Sequence, residues 1–223
     1  MGNAVQAFNV PQTPAIADEE FDGMRSASFL ARITLLTSNS KDVKSGEVSA
    51  NTYRYESGDI KTVLGKTVDI VPVSLRFTAV LTDDGDGNFV SVHTMTPSKD
   101  ELFKQIQAKS DTEGFGSGAM YGQEFLVWIP SLGKFATFFC NNKSARNMAS
   151  SIRDLIGQAS TLSSKMTSNK KFEWFVPTIT ASNVPVTNIP DDDTLAAVVE
   201  KFVTAKGSDM EAATEEAGSE RDV

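Results

Sequence analysis

The chain has 223 residues, a formal net charge of −8, one cysteine and one histidine. One cysteine excludes an internal disulfide, and one cysteine with one histidine gives too few ligands for a catalytic transition metal, so we expect no metal and no cofactor. The sequence has no run of about 18 apolar residues and no secretory leader. This pattern predicts a protein of the cytoplasm (the host cytoplasm if it is viral) without a membrane partner.

Polar ends flank one predicted domain. Residues 1–24 contain four clustered acids and show little periodicity, so we expect a flexible N-terminal arm. Residues 25–182 are rich in β-forming segments and are predicted to be the folded domain. A linker with an amphipathic helix follows at 183–207, and a disordered acidic tail is predicted at 208–223.

Seven segments of the domain have the composition of β-strands. They are residues 31–36, 52–55, 67–81, 89–93, 125–129, 134–140 and 172–180. Pro72 interrupts the longest segment, which predicts a bent strand, or two strands, near a sheet edge. Turn-forming residues at 83–88 and 130–133 separate neighbouring segments and predict two hairpins.

Three helices are predicted. They cover residues 98–108, 144–159 and 194–207. Ser98 and Glu101 have the spacing of a capping box, and Asp193 or Thr194 is expected to cap the last helix. Residues 111–122 contain four glycines and are predicted to be a mobile loop, while the stretch before residue 172 reads as a Ser/Thr-rich link. Strands and helices do not alternate, so a mostly β fold is expected, either a small antiparallel barrel or a strongly bent sheet with a helix inserted between late strands.

Charge is sorted along the chain. Residues 134–171 carry seven bases and one acid, a net charge of 7 − 1 = +6. Residues 191–223 carry three bases and ten acids, a net charge of 3 − 10 = −7. A basic stretch followed by an acidic tail is typical of a protein that binds a polyanion and carries a competing polyanion of its own.

Two ligand-binding motifs are incomplete. Residues 65–67 resemble the end of a phosphate-binding loop, but Ile60 occupies the position of the required first glycine. Residues 84–88 have the acid spacing of a calcium loop, but Phe89 and Met95 replace the glycine and the final acid of that motif. We therefore expect an ordinary loop at the first position and a solvated hairpin turn at the second.

The sequence offers no catalytic set. His93 is the only histidine, lies in a predicted strand and has no cysteine or acid cluster beside it, so a half-buried strand residue is expected. No nucleophile-elbow sequence is present. These features predict a protein that is not an enzyme.

Basic residues alternate with aromatic ones in the later segments. Single-strand binders need this mixture, because cations follow the phosphates and flat rings stack on unpaired bases. The candidate phosphate contacts are Lys134, Lys143, Arg146, Arg153, Lys165, Lys170 and Lys171. The candidate stacking residues, of which only some are expected to be exposed, are Tyr53, Tyr55, Phe77, Trp128, Phe138 and Trp174. We expect the cations to converge into one ring-lined trough.

This plan resembles the single-stranded DNA-binding proteins of tailed bacteriophages, the phage T7 type. The likeness covers residues 28–223: the paired segments at 67–93, the hairpin at 125–140, the helix at 144–159, the strand at 172–180 and the acidic tail. The resemblance implies an OB-fold barrel with an inserted helix. It also implies a non-enzymatic coat on single-stranded DNA during phage replication and recombination, without sequence specificity.

The resemblance also implies partners. The tail would compete with DNA for the basic groove, and in that family it often docks on replication proteins through a terminal aromatic residue. This chain ends in Asp222 and Val223 instead, which leaves the electrostatic competition but not the aromatic tip. Self-association into a homo-oligomer is a further expectation. Two alternatives stay open: a structural or assembly protein of a virus particle, and an interaction module that uses the helix around 195–203.

Overall fold

The structure is a computed structural model that describes residues 30–82, 89–114, 116–169, 173–205 and 207. The predicted N-terminal arm at 1–24, the hairpin turn at 83–88 and the acidic tail at 208–223 lie outside the described residues. Lys170 and Lys171, both candidate phosphate contacts, also lie outside them.

The described residues form nine strands and four helices. The strands are β1 Ala31–Leu36, β2 Thr52–Ser57, β3 Ile60–Gly65, β4 Val68–Thr82, β5 Phe89–Thr94, β6 Ala119–Ile129, β7 Lys134–Cys140, β8 Ser160–Ser168 and β9 Glu173–Ala181. The helices are α1 Lys41–Lys44, α2 Glu101–Glu113, α3 Lys143–Arg153 and α4 Asp192–Thr204.

All nine strands belong to one sheet. Its order is β3-β2-β1-β7-β6-β4-β8-β9, with β5 paired beside the second half of β4. Every pair is antiparallel except β1 with β7. The sheet curls strongly into an open half-barrel. The Tyr53 hydroxyl on β2 donates a hydrogen bond of 2.6 Å to the Ser163 carbonyl on β8, although four strands lie between β2 and β8 in the sheet.

The expectation of a mostly β fold with a strongly bent sheet is confirmed, as are both predicted hairpins. The edge position expected for Pro72 is found only locally. β4 is a single central strand that pairs with β6 on one side and with β8 and β5 on the other. Pro72 is tolerated because residues 71–76 of β4 have no strand partner on the side of β8 and β5, and the Pro72 carbonyl on that side accepts a hydrogen bond of 2.8 Å from the Gly157 amide, so the missing N–H costs no ladder hydrogen bond.

Two strands, β3 and β8, were not predicted from the sequence. β3 follows β2 after a two-residue turn, and β8 forms where a Ser/Thr-rich link was expected. Both strands have few buried side chains: β3 has none, and on β8 only Ser160 and Leu162 are buried. Their apolar patterns are therefore weak, and pairing with neighbours rather than hydrophobic alternation fixes them as strands.

Helix ends also differ from the predicted ones. Asp100, not Ser98, caps α2 by accepting a hydrogen bond from the Phe103 amide, and the helix continues to Glu113 into the predicted loop. α3 ends at Arg153, six residues before the predicted end, because the chain turns through Gly157, whose φ of 78° suits a glycine.

The central strands carry helices on both faces. Cross-strand partners share a face, so Phe77 and Ala79 of β4 lie with Gln123 and Tyr121 of β6, and α2 and α3 both pack on this face. α4 packs on the opposite face. Its apolar side, including Leu195 and Phe202, is buried against four residues of the sheet: Val71, Val73, Leu126 and Trp128. The apolar side of this helix is therefore buried within its own domain, and each buried side chain stabilises the fold by about 1.5–3 kcal/mol.

A buried polar network fixes α4 to the sheet. Arg76 Nε donates to Glu124 at 2.8 Å, and Arg76 Nη1 donates to the Phe202 carbonyl of α4 at 2.7 Å. The same Glu124 oxygen accepts from the Thr78 hydroxyl, which also lies 2.9 Å from His93 Nδ1. Burial is the main cause that lowers the pKa of His93 to about 4, with the Arg76 charge adding to it and Glu124 opposing it. His93 is thus a neutral strand residue inside a structural network.

Candidate nucleic-acid interface

Four of the six candidate stacking residues are buried. Tyr53, Tyr55 and Phe138 belong to the core inside the half-barrel, and Trp128 packs beneath α4 with its ring 4.8 Å from that of Phe135. None of the four is more than 6% exposed, so no base can stack on these rings in this structure. Phe77 and Trp174, which are half-buried, are the two candidate stacking residues that remain partly accessible.

α3 exposes three cations. Asn142 begins the helix by accepting a hydrogen bond from the Ala145 amide at 2.9 Å, and the apolar face of α3 is buried in the core. Lys143 and Arg153 are exposed, and Arg146 is half-buried. None of these three cations forms an ion pair among the described residues. Lys143 stands in the first turn, where the helix dipole does not favour positive charge, so the stability of α3 does not account for it.

Arg146 is held in a fixed position. Its guanidinium carbon lies 4.2 Å from the ring centre of Tyr121, and its Nη1 donates to the carbonyls of Tyr121 and Asn141 at 3.2 and 3.1 Å. Nε and Nη2 have no hydrogen-bond partner among the described residues. Those free donors make Arg146 a ready contact for an anion.

An open cleft separates α2 from α3, and we call it the α2–α3 cleft. Its volume is about 390 Å³. Phe77, Tyr121 and Gln123 of the sheet form the floor, because the β4–β6 register puts them on one face. The walls and rim are Phe103, Lys104 and Gln107 of α2, Arg146 and Ala149 of α3, and Pro97 and Ser98. Two predicted residues, Phe77 and Arg146, therefore meet at this cleft.

The rings of the cleft support one another. Phe103 makes edge-to-face contacts with Phe77 and Tyr121, at centroid distances of 6.4 and 6.2 Å. The Tyr121 hydroxyl donates to Asp111 at 2.8 Å. Burial, with this hydrogen bond as a smaller cause, raises the pKa of Tyr121, so the phenol stays protonated and neutral near pH 7. The cleft thus offers aromatic surface beside a fixed cation.

The remaining candidates lie elsewhere. Lys165 of β8 and Trp174 of β9 share one face of the β8–β9 hairpin, whereas Leu162 and Ile179, which pack in the core with α3, are on the other face. Lys134, at the start of β7, is exposed and lies 5.6 Å from the ring centre of Tyr55. The described candidate cations therefore lie on three elements, β7, α3 and β8, and their convergence into one ring-lined trough stays a prediction. Lys165 and Leu162 lie on opposite faces of β8, because residues an odd number of positions apart in a strand point to opposite sides of the sheet.

A second charged depression of about 410 Å³ lies on the outer face of β1–β3, and the sequence analysis missed it. Arg54 is clamped between Asp42 and Glu56, and Arg32 and Lys61 bind the same two acids. The hydrogen bond from Arg54 is the main cause that lowers the pKa of Asp42. Burial alone would raise the pKa of Glu56, but its two arginine partners outweigh burial and lower it. The charges in this network are largely paired, which makes it a structural link between α1 and the sheet.

The described residues contain no group of three or more His, Cys, Asp and Glu side chains arranged to hold a metal. Cys140 is buried in the core, and burial raises its pKa to about 12, so it carries no reactive thiolate. Within the described ranges, no helix combines the length and apolar character needed to cross a bilayer.

Comparisons with known proteins identify no family. No protein-family model matches the chain, no curated protein matches it, and no solved structure has significant similarity to its fold.

Proposed function

We propose that this protein binds single-stranded DNA without sequence specificity, and that α3 with the α2–α3 cleft is its principal contact surface. One observation carries the proposal: three cations without acidic partners among the described residues, Lys143, Arg146 and Arg153, project from one helix beside a cleft floored by aromatic rings. Cations for phosphates next to rings for bases are the two requirements of single-strand binding.

The hairpin face with Lys165 and Trp174 is proposed as a second contact. It combines an exposed cation with a half-buried indole on adjacent strands, where diagonal neighbours lie about 7–8 Å apart. Lys170 and Lys171 follow in the connection between these strands and add to its positive charge. A strand of DNA bound at α3 would pass to this hairpin around β9, against which α3 packs.

The acidic tail is proposed to compete with DNA. Residues 208–223 carry six acids and one base, a net charge of 1 − 6 = −5. The last described residue, Gly207, packs so closely on β5 that a Cβ there would overlap the Ser91 carbonyl oxygen. If the tail is as flexible as its composition predicts, its 16 residues have an r.m.s. reach of roughly 20–24 Å, which would bring it to the domain surface at high effective concentration.

A titration of the full-length protein into fluorescently labelled oligo-dT at two salt concentrations tests the proposal. We expect binding that weakens steeply with salt, because each neutralised phosphate contributes about −0.7 to the log–log slope for single strands. The same titration with oligo-rU compares DNA with RNA. Absence of salt-sensitive binding, even for protein that ends at residue 207, refutes the proposal and favours the role of a particle component, which is recognised by its co-purification with particles.

A further inference from the structure

We propose that the α2–α3 cleft is a pocket for one unpaired nucleobase, which stacks on Phe77 while its adjoining phosphate binds Arg146. This inference rests on the proposed single-strand binding and gives it a defined site. It also assigns the stacking role at this site to Phe77 alone among the candidate rings. Four of the others are buried in the core, and Trp174 lies on the β8–β9 hairpin.

The size and shape of the cleft fit one nucleotide. Its volume of about 390 Å³ is at the low end of the roughly 300–1,000 Å³ found for small-ligand pockets. Helices wall it on two sides and the sheet closes its floor, so a base can enter only from the solvent side. A base in duplex DNA is paired and stacked and cannot enter such a slot without being extruded.

The ring that meets the base is Phe77. One face of Tyr121 is already occupied by the Arg146 guanidinium, whereas Phe77 makes its aromatic contact edge-to-face with Phe103 and has no cation contact among the described residues. Phe77 is half-buried and lines the cleft. Phenyl rings stack on any of the four bases, so this position is sequence-tolerant.

Polar groups around Phe77 match the rest of a nucleotide. Gln123 is the cross-strand partner of Phe77, and its Oε1 is a buried acceptor without a hydrogen-bond partner in the described part of the chain. A donor on a base edge satisfies that acceptor after a small rotation of the amide. The unused donors of Arg146 serve the phosphate. Asp111, at the far side of Tyr121, keeps phosphates away from that end and so sets the direction in which the nucleotide lies.

The test compares two oligonucleotides of equal length, oligo-dT and the same strand with every base replaced by an abasic residue. Both carry the same phosphates, so only base contacts distinguish them. Full-length wild-type protein is expected to bind oligo-dT at least about fivefold more tightly, since one stacked base contributes about 1–3 kcal/mol and 1.4 kcal/mol is tenfold. Phe77→Leu, which keeps the apolar volume but removes the ring, is expected to reduce this ratio by about the same factor while leaving the salt slope unchanged.

Phe135→Leu is the matched control, because Phe135 is also half-buried but packs on Trp128 with the α4 side of the core. It should keep the full ratio. Equal binding of both strands by the wild type overturns the pocket and leaves the proposed function intact, whereas binding of neither strand overturns both. A ratio that Phe77→Leu does not reduce places the base contacts elsewhere and also refutes the pocket.

Photo-crosslinking of the wild type provides a readout that needs no variant. Oligonucleotides with 5-iodouracil in place of thymine should crosslink to the peptide that contains Phe77 or the one that contains Tyr121. Crosslinks confined to other peptides refute the pocket.

Discussion

The guanidinium of Arg146 lies over the ring of Tyr121, with 4.2 Å between the guanidinium carbon and the ring centre, and two main-chain carbonyls accept hydrogen bonds from its Nη1. This arrangement joins α3 to β6 at the mouth of the α2–α3 cleft. It uses the planar shape of arginine as well as its charge, because a flat guanidinium can lie over the ring while its other nitrogens keep N–H donors for a ligand, which a single ammonium nitrogen cannot do.

Replacing Arg146 with lysine should therefore weaken binding although the charge is kept. We expect a loss in affinity for oligo-dT of about three- to tenfold, since a stacked cation contributes roughly 0.5–1 kcal/mol beyond its charge and fixed geometry adds to that. Lys143→Arg, which also replaces one cation of α3 by another type of cation, is the control and should change affinity little. Equal behaviour of the two variants in a fluorescence titration contradicts a special role for Arg146.

The other two cations of α3 should act through charge alone. Lys143→Gln combined with Arg153→Gln is expected to reduce the log–log salt slope by about 1.4, because each lost phosphate contact removes about 0.7. The exposed pair Lys41→Gln and Lys44→Gln on α1, which does not line the cleft, tests locality and should produce a smaller change in slope. A double α3 variant with an unchanged slope shows that DNA does not follow this helix.

Deleting residues 208–223 should tighten binding to oligo-dT, most strongly at low salt. The deletion removes a net charge of −5 that competes with phosphates, and screening at high salt weakens that competition in both proteins. Replacing the acids of the tail with their amides provides a control of equal length. Affinity that stays unchanged in both proteins at low salt argues against competition by the tail.

The Arg76–Glu124 pair should be important for stability, because it is buried and holds α4. Arg76→Leu leaves the Glu124 carboxylate without its cation, and removing one partner of a buried pair typically costs about 3–5 kcal/mol of unfolding free energy. Arg32→Leu breaks a pair whose arginine is 72% exposed, and it should cost less than about 1 kcal/mol. Urea denaturation at pH 7 measures the unfolding free energy of both variants. Similar losses for Arg76→Leu and Arg32→Leu would contradict a larger contribution of the buried pair.

Stability should fall as the solution is acidified below the ordinary pKa of histidine. The pKa of His93 is lowered from 6.5 to about 4 in the folded protein, so the unfolded chain takes up this proton first. The contribution of His93 is complete above pH 6.5 and is lost as the pH falls from there towards 4, with about 2 kcal/mol lost between pH 7 and pH 5. His93→Phe should flatten the pH dependence of the unfolding free energy in that interval, measured by urea denaturation. A wild type and variant with parallel pH profiles would show that His93 is accessible to protons in the folded state.

Several features were predictable from the order of the amino acids: the β character of the domain, both hairpins, the amphipathic character of α3 and α4, and the separation of charge along the chain. These features depend on local spacing, turn residues and composition, which need no knowledge of the fold. The amino-acid order did not reveal β3 or β8, whose strand state comes from pairing with neighbours rather than from an apolar pattern.

Which of the predicted residues meet depends on the three-dimensional fold. Phe77 and Tyr53 are both aromatic residues of predicted strands, yet one lines an open cleft and the other is sealed in the core. Arg146 reaches the cleft because α3 packs beside α2 on one face of the sheet. Lys165 is three positions after Leu162 in β8, so its side chain is on the opposite face from the buried Leu162. Exposure and convergence depend on strand register and on which helix covers which face, and contacts between residues far apart in the chain set both.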